Sequence, residues 1–388
     1  MSLKAKKAIC EKFGIHNLSS FQEKVIHDLN HGHDVIGLAR TGEGKSICYL
    51  SQAIVHPNDL LLVITPTISL MRDQVRQCEK SGIQAACLYY DNPDNDAILY
   101  QLQKGKIQVL FVSPERLTNH KLRESLQNIT IHTVAVDEVH CLIEWGNAFR
   151  PMYQKIGKFI RKLHHRPVIA AFSATVPPKD IPFIADSLGM NDCRLHVGKL
   201  KRTNLHLKKA FVKTDALRHA KVRKALDKAP AEGRIVIYCT RICDAEDMRD
   251  YLIEDCDIPS TEIALCHSKL HDRAKQEERF ASGTARIMVA TSAFGMGVHI
   301  PDIRLVIISQ LPFSIPAFYQ MAGRAGRDGK KAKVLLLYNG NDYQTNLDII
   351  SAKDERAVQA VDDLYAICQS DENLHTSMID YLCGKVGG

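Results

Sequence analysis

Ten short runs rich in Val, Ile and Leu, each closing on a polar cluster, constrain the fold of this chain more than any other feature. The first five are DVIGLA (34–39), DLLLVITP (59–66), IQVLFVSPE (107–115), HTVAVDEVH (132–140) and VIAAFSAT (168–175). The second five are RIVIYCT (234–240), EIALCH (262–267), ARIMVATS (285–292), IRLVIISQ (303–310) and AKVLLLY (332–338). None alternates apolar with polar residues, so each reads as a strand covered on both faces, which means a parallel sheet. Stretches of helical composition lie between them, such as SLMRDQVRQCEKSG (69–82) and CDAEDMRDYLIED (243–255). Strand and helix alternate twice over, predicting an α/β chain with two doubly wound sheets. The length of 388 residues agrees, since about 100–200 residues per domain gives two or three domains.

The seam between the halves falls near 198–225. Lys199, Lys201, Arg202, Lys208, Lys209, Lys213, Arg218, Lys221, Arg223 and Lys224 stand there against one acid, Asp215. A solvated linker with a helix face and a basic wall lining a cleft both fit this pattern. The net charge of +7 permits a polyanionic partner without demanding one. None of the 12 cysteines has CxxC spacing, which fits small buried hydrophobes in a reducing compartment. The lysine-rich start KAKKAICEKFG has no signal-peptide character, and no apolar run approaches the ~18 residues of a membrane span. A soluble intracellular protein with no membrane partner is expected.

In a parallel sheet, ligands bind at the carboxyl ends of strands. The first such cluster, Ala39-Arg40-Thr41-Gly42-Glu43-Gly44-Lys45-Ser46, has the pattern of a phosphate-binding loop, with Ala39 in place of the usual glycine. Its glycines let backbone N–H groups turn toward phosphate oxygens, and the following helix adds its positive end. Lys45 supplies a charge to the β- and γ-phosphates, and the Ser46 hydroxyl is a Mg²⁺ ligand. Asp137, at the end of HTVAV, is placed as a second Mg²⁺ ligand, with Glu138 as general base for water. In the second half, QMAGRAGRDG (320–329) carries Arg324 and Arg327 among small residues, which suits neutralisation of a transferring phosphoryl group. Loop and arginines lie in different halves, so a cleft between two domains is expected to unite them, closing on nucleotide and opening on hydrolysis.

These motifs, in this order, resemble superfamily 2 helicases, and the RecQ family closely. The segments that carry the likeness are FGIHNLSSFQEKVI (13–26), ARTGEGKS, ITPTISLMRDQV (64–75), VSPERL (112–117), DEVHCLIEWGNAFRPMY (137–153), FSAT (172–175), RTNL (202–205), ATSAFGMGVHIPDIR (291–304) and QMAGRAGRDG. The resemblance implies two tandem RecA-like domains, each a mostly parallel sheet with helices on both faces, over 1–205 and 206–345. A helical tail follows at 346–388. It implies an ATP-dependent helicase that moves 3′ to 5′ on single-stranded DNA, opens tailed duplex DNA, and serves repair and recombination. ATP and Mg²⁺ are then the cofactors. Gln22, His140 and Gln320 join the loop, Asp137, Glu138, Arg324 and Arg327 as nucleotide-site residues. Ser173 and Thr175 link hydrolysis to domain movement. Thr65, Arg72, Ser113, Arg116, Trp145, Phe149 and Arg150 contact DNA, Trp145 and Phe149 offering faces on which bases stack.

Several positions depart from the family. Ile15 and Ser19 replace an aromatic and an Arg, Val139 makes the DEAH box DEVH, and Asn147 and Ala148 replace His and Asp. His299 stands where Asp or Asn is usual, and RTNL replaces RPNL. After the core only Cys368, His375 and Cys383 remain of a zinc-binding character, too few for a closed tetrahedral site, so no zinc is expected. Two alternatives stay open: an RNA helicase or remodelling translocase, and a nucleotide-gated nucleic-acid-binding module with little turnover.

Overall fold

The computed structural model describes residues 2–40, 42–143, 151–292, 294, 300–350 and 354–384. It forms two compact units that divide between Leu200 and Lys201. In the first unit seven strands make one sheet: β1 (Val35–Leu38), β2 (Leu60–Ile64), β3 (Ala85–Leu88), β4 (Val109–Val112), β5 (Ile131–Val136), β6 (Val168–Ser173) and β7 (Arg194–Val197). Their order is β3-β4-β2-β5-β6-β1-β7, and every pairing is parallel. Alternate residues of one strand feed two different cores. Leu60, Leu62 and Ile64 of β2 belong to one cluster, with Ile36, Val134 and Tyr153. Leu61 and Val63 belong to another, with Tyr49, Phe111 and Phe172. Each such side chain contributes about 1.5–3 kcal/mol on burial, which is why the apolar runs do not alternate.

The fully buried Asp34 carboxylate ties the opposite end of this sheet together. It accepts from the backbone N–H of Ile169 (2.8 Å) and of Asn191 (2.6 Å), and pairs with Arg166. The starts of β1 and β6 and the approach to β7 are thereby fixed to one another.

The second unit has six strands: β8 (Leu205–Phe211), β9 (Arg234–Tyr238), β10 (Ile263–Cys266), β11 (Ile287–Ala290), β12 (Ile303–Ile308) and β13 (Ala332–Tyr338). The order is β10-β11-β9-β12-β13-β8, again all parallel. RTNL therefore lies in this unit, with Leu205 opening the edge strand. The helices Glu355–Gln369 and Leu374–Leu382 pack on the same unit. Lys209 Nζ of β8 donates to the carbonyl of Ile367 (2.7 Å) and to that of Ser370. The Tyr338 hydroxyl donates to the carbonyl of Cys368 (2.6 Å), and Val361, Leu364 and Met378 are buried.

The basic seam divides into two kinds of residue. Lys199, Lys201, Lys208, Lys213, Lys221, Arg223 and Lys224 are exposed, whereas Arg202 and Arg218 are buried and serve structure. Arg218 donates to Asp342 (2.8 Å), a buried pair that joins the helix Asp215–Asp227 to the helix Gly340–Ile349. All 12 cysteines are free, and Cys48, Cys78, Cys141, Cys239, Cys266 and Cys368 are buried. Among the described residues no helix is long and apolar enough to cross a membrane. Nor does any group of three or more His, Cys, Asp or Glu among them stand ready to hold a metal.

Candidate nucleotide and nucleic-acid sites

The loop after β1 runs straight into the helix Lys45–Val55. Gly44 starts that helix at φ +74°, a backbone that favours glycine. A Cβ there would meet Gln22 Nε2 at 2.4 Å. Gln22 is aimed by its own helix start: Ser19 Oγ accepts from the Gln22 N–H (3.3 Å), and Gln22 Oε1 accepts from the Ser19 N–H (2.8 Å). Its Nε2 is left to donate to the loop carbonyls of Glu43 (3.4 Å) and Gly44 (3.3 Å). Arg40 pairs with Glu43 at 2.6 Å across the loop. Lys45 Nζ donates to the carbonyl of Ala39 (2.7 Å), folding the lysine back over its own loop.

Asp137 ends β5, which is separated from β1 only by β6. Its Oδ1 accepts from the Glu138 N–H (3.0 Å), and its Oδ2 faces the Tyr49 hydroxyl (3.3 Å) and Gln74 Nε2 (3.4 Å). The Tyr49 hydroxyl also meets Gln74 Oε1 at 2.7 Å, and the Tyr153 hydroxyl donates to the Asp137 carbonyl at 3.0 Å. Burial, and next the charge of Glu138, push the Asp137 carboxyl up to about 6, with the Lys45 ammonium opposing them. Glu138 stands at φ +51°, a left-handed conformation that costs about 1–3 kcal/mol in a non-glycine residue and marks sites under functional constraint. Its carboxylate reaches His140 Nδ1 at 3.1 Å. The same ring nitrogen lies 2.9 Å from Ser173 Oγ, which accepts from the Thr175 N–H at 3.1 Å. Glu138, His140, Ser173 and Thr175 thus form one polar chain across the ends of β5 and β6.

In the second unit, Gln320 lies on the helix Ile315–Ala322, and Arg324 and Arg327 on the loop that leads to β13. Both guanidinium charges act on buried Tyr238, whose hydroxyl burial pushes up to about 12 while the arginines oppose it. Arg202 and Asn204 grip the other side of that loop through the carbonyls of Gly323, Gly326 and Lys330.

The expected nucleic-acid residues of the first unit line up on adjacent strand ends. Thr65 follows β2, and Ser113 follows β4; both are buried. Arg116 is half-buried on the turn Pro114–Thr118. Arg72 is exposed, with its guanidinium 5.2 Å from the Tyr89 ring centroid and 2.6 Å from the Tyr89 hydroxyl. Of these four, Arg72 is the most exposed. Thr41, Trp145, Phe149 and Arg150 lie outside the described residues.

Two family models match the chain: the DEAD/DEAH box helicase over residues 19–182 and the helicase conserved C-terminal domain over 217–329. The ATP-dependent DNA helicase RecQ of Bacillus subtilis is 31% identical over 403 residues, covering 99% of this chain and 66% of that protein. The ATP-dependent DNA helicase RecQ of a Synechocystis species is 31% identical over 325 residues, covering 81% of this chain and 67% of its own length. The chain belongs to the RecQ family. It spans about two thirds of the length of these two relatives. S. cerevisiae Dbp5, solved bound to RNA and ADP BeF3, has the same fold at a TM-score of 0.69 and 15% identity, with 98% of both chains covered.

The RecQ likeness points at Lys45, Asp137 and the arginines, but not at the residues that hold them. Tyr49, Gln74, Tyr153 and Asn204 received no role from sequence, and Arg202 only a place in the basic seam. Gln74 sits in the RecQ segment SLMRDQV, and Arg202 and Asn204 in RTNL, so the motifs contained them. Their task becomes visible only when the strand ends are brought together.

Proposed function

We propose that this chain is the motor core of an ATP-dependent DNA helicase that moves 3′ to 5′ on single-stranded DNA and opens tailed duplexes, in repair and recombination. The observation that carries this reading is the grouping of the phosphate loop, Asp137, Glu138 and the His140–Ser173–Thr175 chain on neighbouring strand ends of a RecA-like unit. On nucleotide binding, the Lys45 ammonium exchanges the Ala39 carbonyl for β- and γ-phosphate oxygens. Loop N–H groups and the start of the helix Lys45–Val55 take the remaining phosphate charge. Glu138, oriented by its left-handed backbone and by His140, accepts a proton from the attacking water. Arg324 and Arg327 neutralise charge as the phosphoryl group transfers.

The donor set fits Mg²⁺. Asp137 is a buried carboxylate raised toward neutrality, the kind of oxygen donor that a hard divalent cation stabilises in its ionised form, and the Ser46 hydroxyl is a second oxygen. Asp137 and Ser46 would hold the ion, and the chemistry it would supply is neutralisation of phosphate charge. Through His140 and Ser173, a change at Glu138 is relayed to Thr175 and so to the chain after β6. Arg72, held on Tyr89, contacts the phosphodiester backbone.

The test is ATP-dependent unwinding of a 3′-tailed DNA duplex, with a 5′-tailed duplex, an RNA duplex and Lys45→Ala run in parallel. Unwinding of the 3′-tailed DNA alone, lost in Lys45→Ala, is the expected result. Equal activity on the RNA duplex points to an RNA helicase, and absence of nucleic-acid-stimulated hydrolysis refutes the motor reading.

A further inference from the structure

The loop carrying Arg324 and Arg327 is held by two side chains to which the proposed function gives no part, Arg202 and Asn204. Arg202 is only 7% exposed. Its Nη1 donates to the Gly323 carbonyl at 2.7 Å and its Nη2 to the Gly326 carbonyl at 2.5 Å. Asn204 Nδ2 donates to the Gly326 carbonyl at 2.8 Å and to the Lys330 carbonyl at 2.9 Å, and the Ala332 N–H returns to the Asn204 carbonyl at 3.0 Å. Four side-chain hydrogen bonds from two residues therefore converge on eight residues of loop. At their centre Gly326 has φ +55°, and a Cβ there would stand 2.6 Å from Asn204 Nδ2 and 2.7 Å from the Lys330 carbonyl. The glycine is needed because Asn204 and the loop backbone already occupy that space. Arg202 and Asn204 belong to the second unit, as does the loop they hold.

The chemistry of this arrangement is specific. A planar guanidinium fork reaches two carbonyls three residues apart and sets their separation, which a flexible ammonium cannot do. Those carbonyls belong to the residues immediately before Arg324 and immediately before Arg327. Fixing Gly323 and Gly326 fixes the point from which each arginine side chain starts. Groups acting on a transition state must be held within about 0.5 Å of the productive geometry, and displacement by ~1 Å costs ~100-fold in rate.

We infer that Arg202 and Asn204 are positioning residues for ATP hydrolysis: they hold the Gly323–Gly326 turn so that Arg324 and Arg327 reach the transferring phosphoryl group. This rests on the proposed role of those two arginines. Arg202 acts through them and touches no phosphate itself. The signature is a lowered kcat with little change in KM for ATP, because the nucleotide is held by the phosphate loop of the other unit.

The experiment uses the full chain and DNA-stimulated ATP hydrolysis, comparing Arg202→Ala, Arg202→Lys, Asn204→Ala, Arg327→Ala and the Arg202→Ala/Arg327→Ala double variant, with the Tm of each. Arg202→Ala is expected to lower kcat about 10–100-fold with KM for ATP within about threefold. Arg202→Lys recovers only part of the loss, and Asn204→Ala, the milder perturbation, loses about 3–10-fold. The double variant is slower than Arg327→Ala by less than the factor that Arg202→Ala costs alone, since part of the Arg202 effect runs through Arg327 and only the part through Arg324 remains. If Arg327→Ala keeps the wild-type kcat, the arginine role itself fails and this inference with it. If Arg327→Ala is slow while Asn204→Ala and a folded Arg202→Ala both turn over normally, only the positioning role is refuted. Losses that multiply in the double variant refute it too, because they mark independent effects.

Discussion

Asp137→Asn is expected to make the nucleotide-free protein more stable while abolishing its ATP hydrolysis. The carboxyl moves from 3.8 to about 6 in the folded protein, chiefly through burial. At 1.36 kcal/mol per tenfold change, this displacement corresponds to about 3 kcal/mol against folding with the group ionised. The sign follows from linkage: a raised carboxyl opposes folding fully above the folded value of about 6 and not at all below 3.8. Asparagine removes the charge, keeps an oxygen for the Glu138 N–H, and gives up about 1 kcal/mol of hydrogen bonding around Tyr49 and Gln74. The net gain is about 2 kcal/mol at pH 8. For a unit of this size, at about 2–4 °C per kcal/mol, Tm rises by about 4–8 °C. The wild-type penalty falls to roughly half by pH 5, so the advantage of the variant shrinks there to little or nothing. Differential scanning calorimetry of both proteins at pH 8 and pH 5, without nucleotide or Mg²⁺, reads this directly. A variant less stable than wild type at pH 8, or an equal gain at both pH values, refutes the premise that the buried charge opposes folding.

Other perturbations have equally defined outcomes. Gly44→Ala places a Cβ against Gln22 Nε2 at a positive φ; it is expected to cost about 1–2 kcal/mol by urea unfolding and to weaken binding of a fluorescent ATP analogue. Unchanged affinity would contradict the cradle formed by the loop. Tyr49→Phe removes the hydroxyl that lies 2.7 Å from Gln74 Oε1 and 3.3 Å from Asp137 Oδ2, leaving one buried acceptor short of its single donated proton, and is expected to destabilise the first unit by about 1–3 kcal/mol in the same assay. Leu364→Ala empties a fully buried position under the C-terminal helices; a loss of about 2–5 kcal/mol is expected, with faster limited proteolysis after residue 354.

The central strands were plain in the sequence because a strand covered on both faces carries an uninterrupted apolar run. VIGL, LLLVI, IHTVAV and RIVIY became β1, β2, β5 and β9. The three strands absent from that reading, β3, β7 and β8, each stand at a sheet edge. AACL is short and weakly apolar. RLHV and LHLKKAF alternate or carry charge, as edges do when one side faces solvent. The site divides along a similar line. Lys45, Asp137 and Arg327 sit in contiguous motifs with fixed spacing and were legible. Tyr49, Gln74 and Tyr153 converge on Asp137 from separate segments, a relation that only the fold reveals. Arg202 looked like one more cation in a basic stretch, and its neighbours in sequence are indeed solvated. What distinguishes it is burial against carbonyls more than a hundred residues away.

Strand order also dictates when the first unit can be completed during synthesis. β1 precedes the other strands of this unit, yet its partners are β6 and β7, and the last of these ends about 160 residues later. At about 5–20 residues per second, β1 waits roughly 10–30 s for the neighbours that cover it. The earliest strand of this unit therefore waits for its latest ones, and the phosphate loop that follows it waits with it. A nascent chain halted before Val168 has β2, β3, β4 and β5 able to pair but leaves Val35–Leu38 as an orphaned apolar segment. Such stalled products are the ones from which aggregation and chaperone capture of this protein will start.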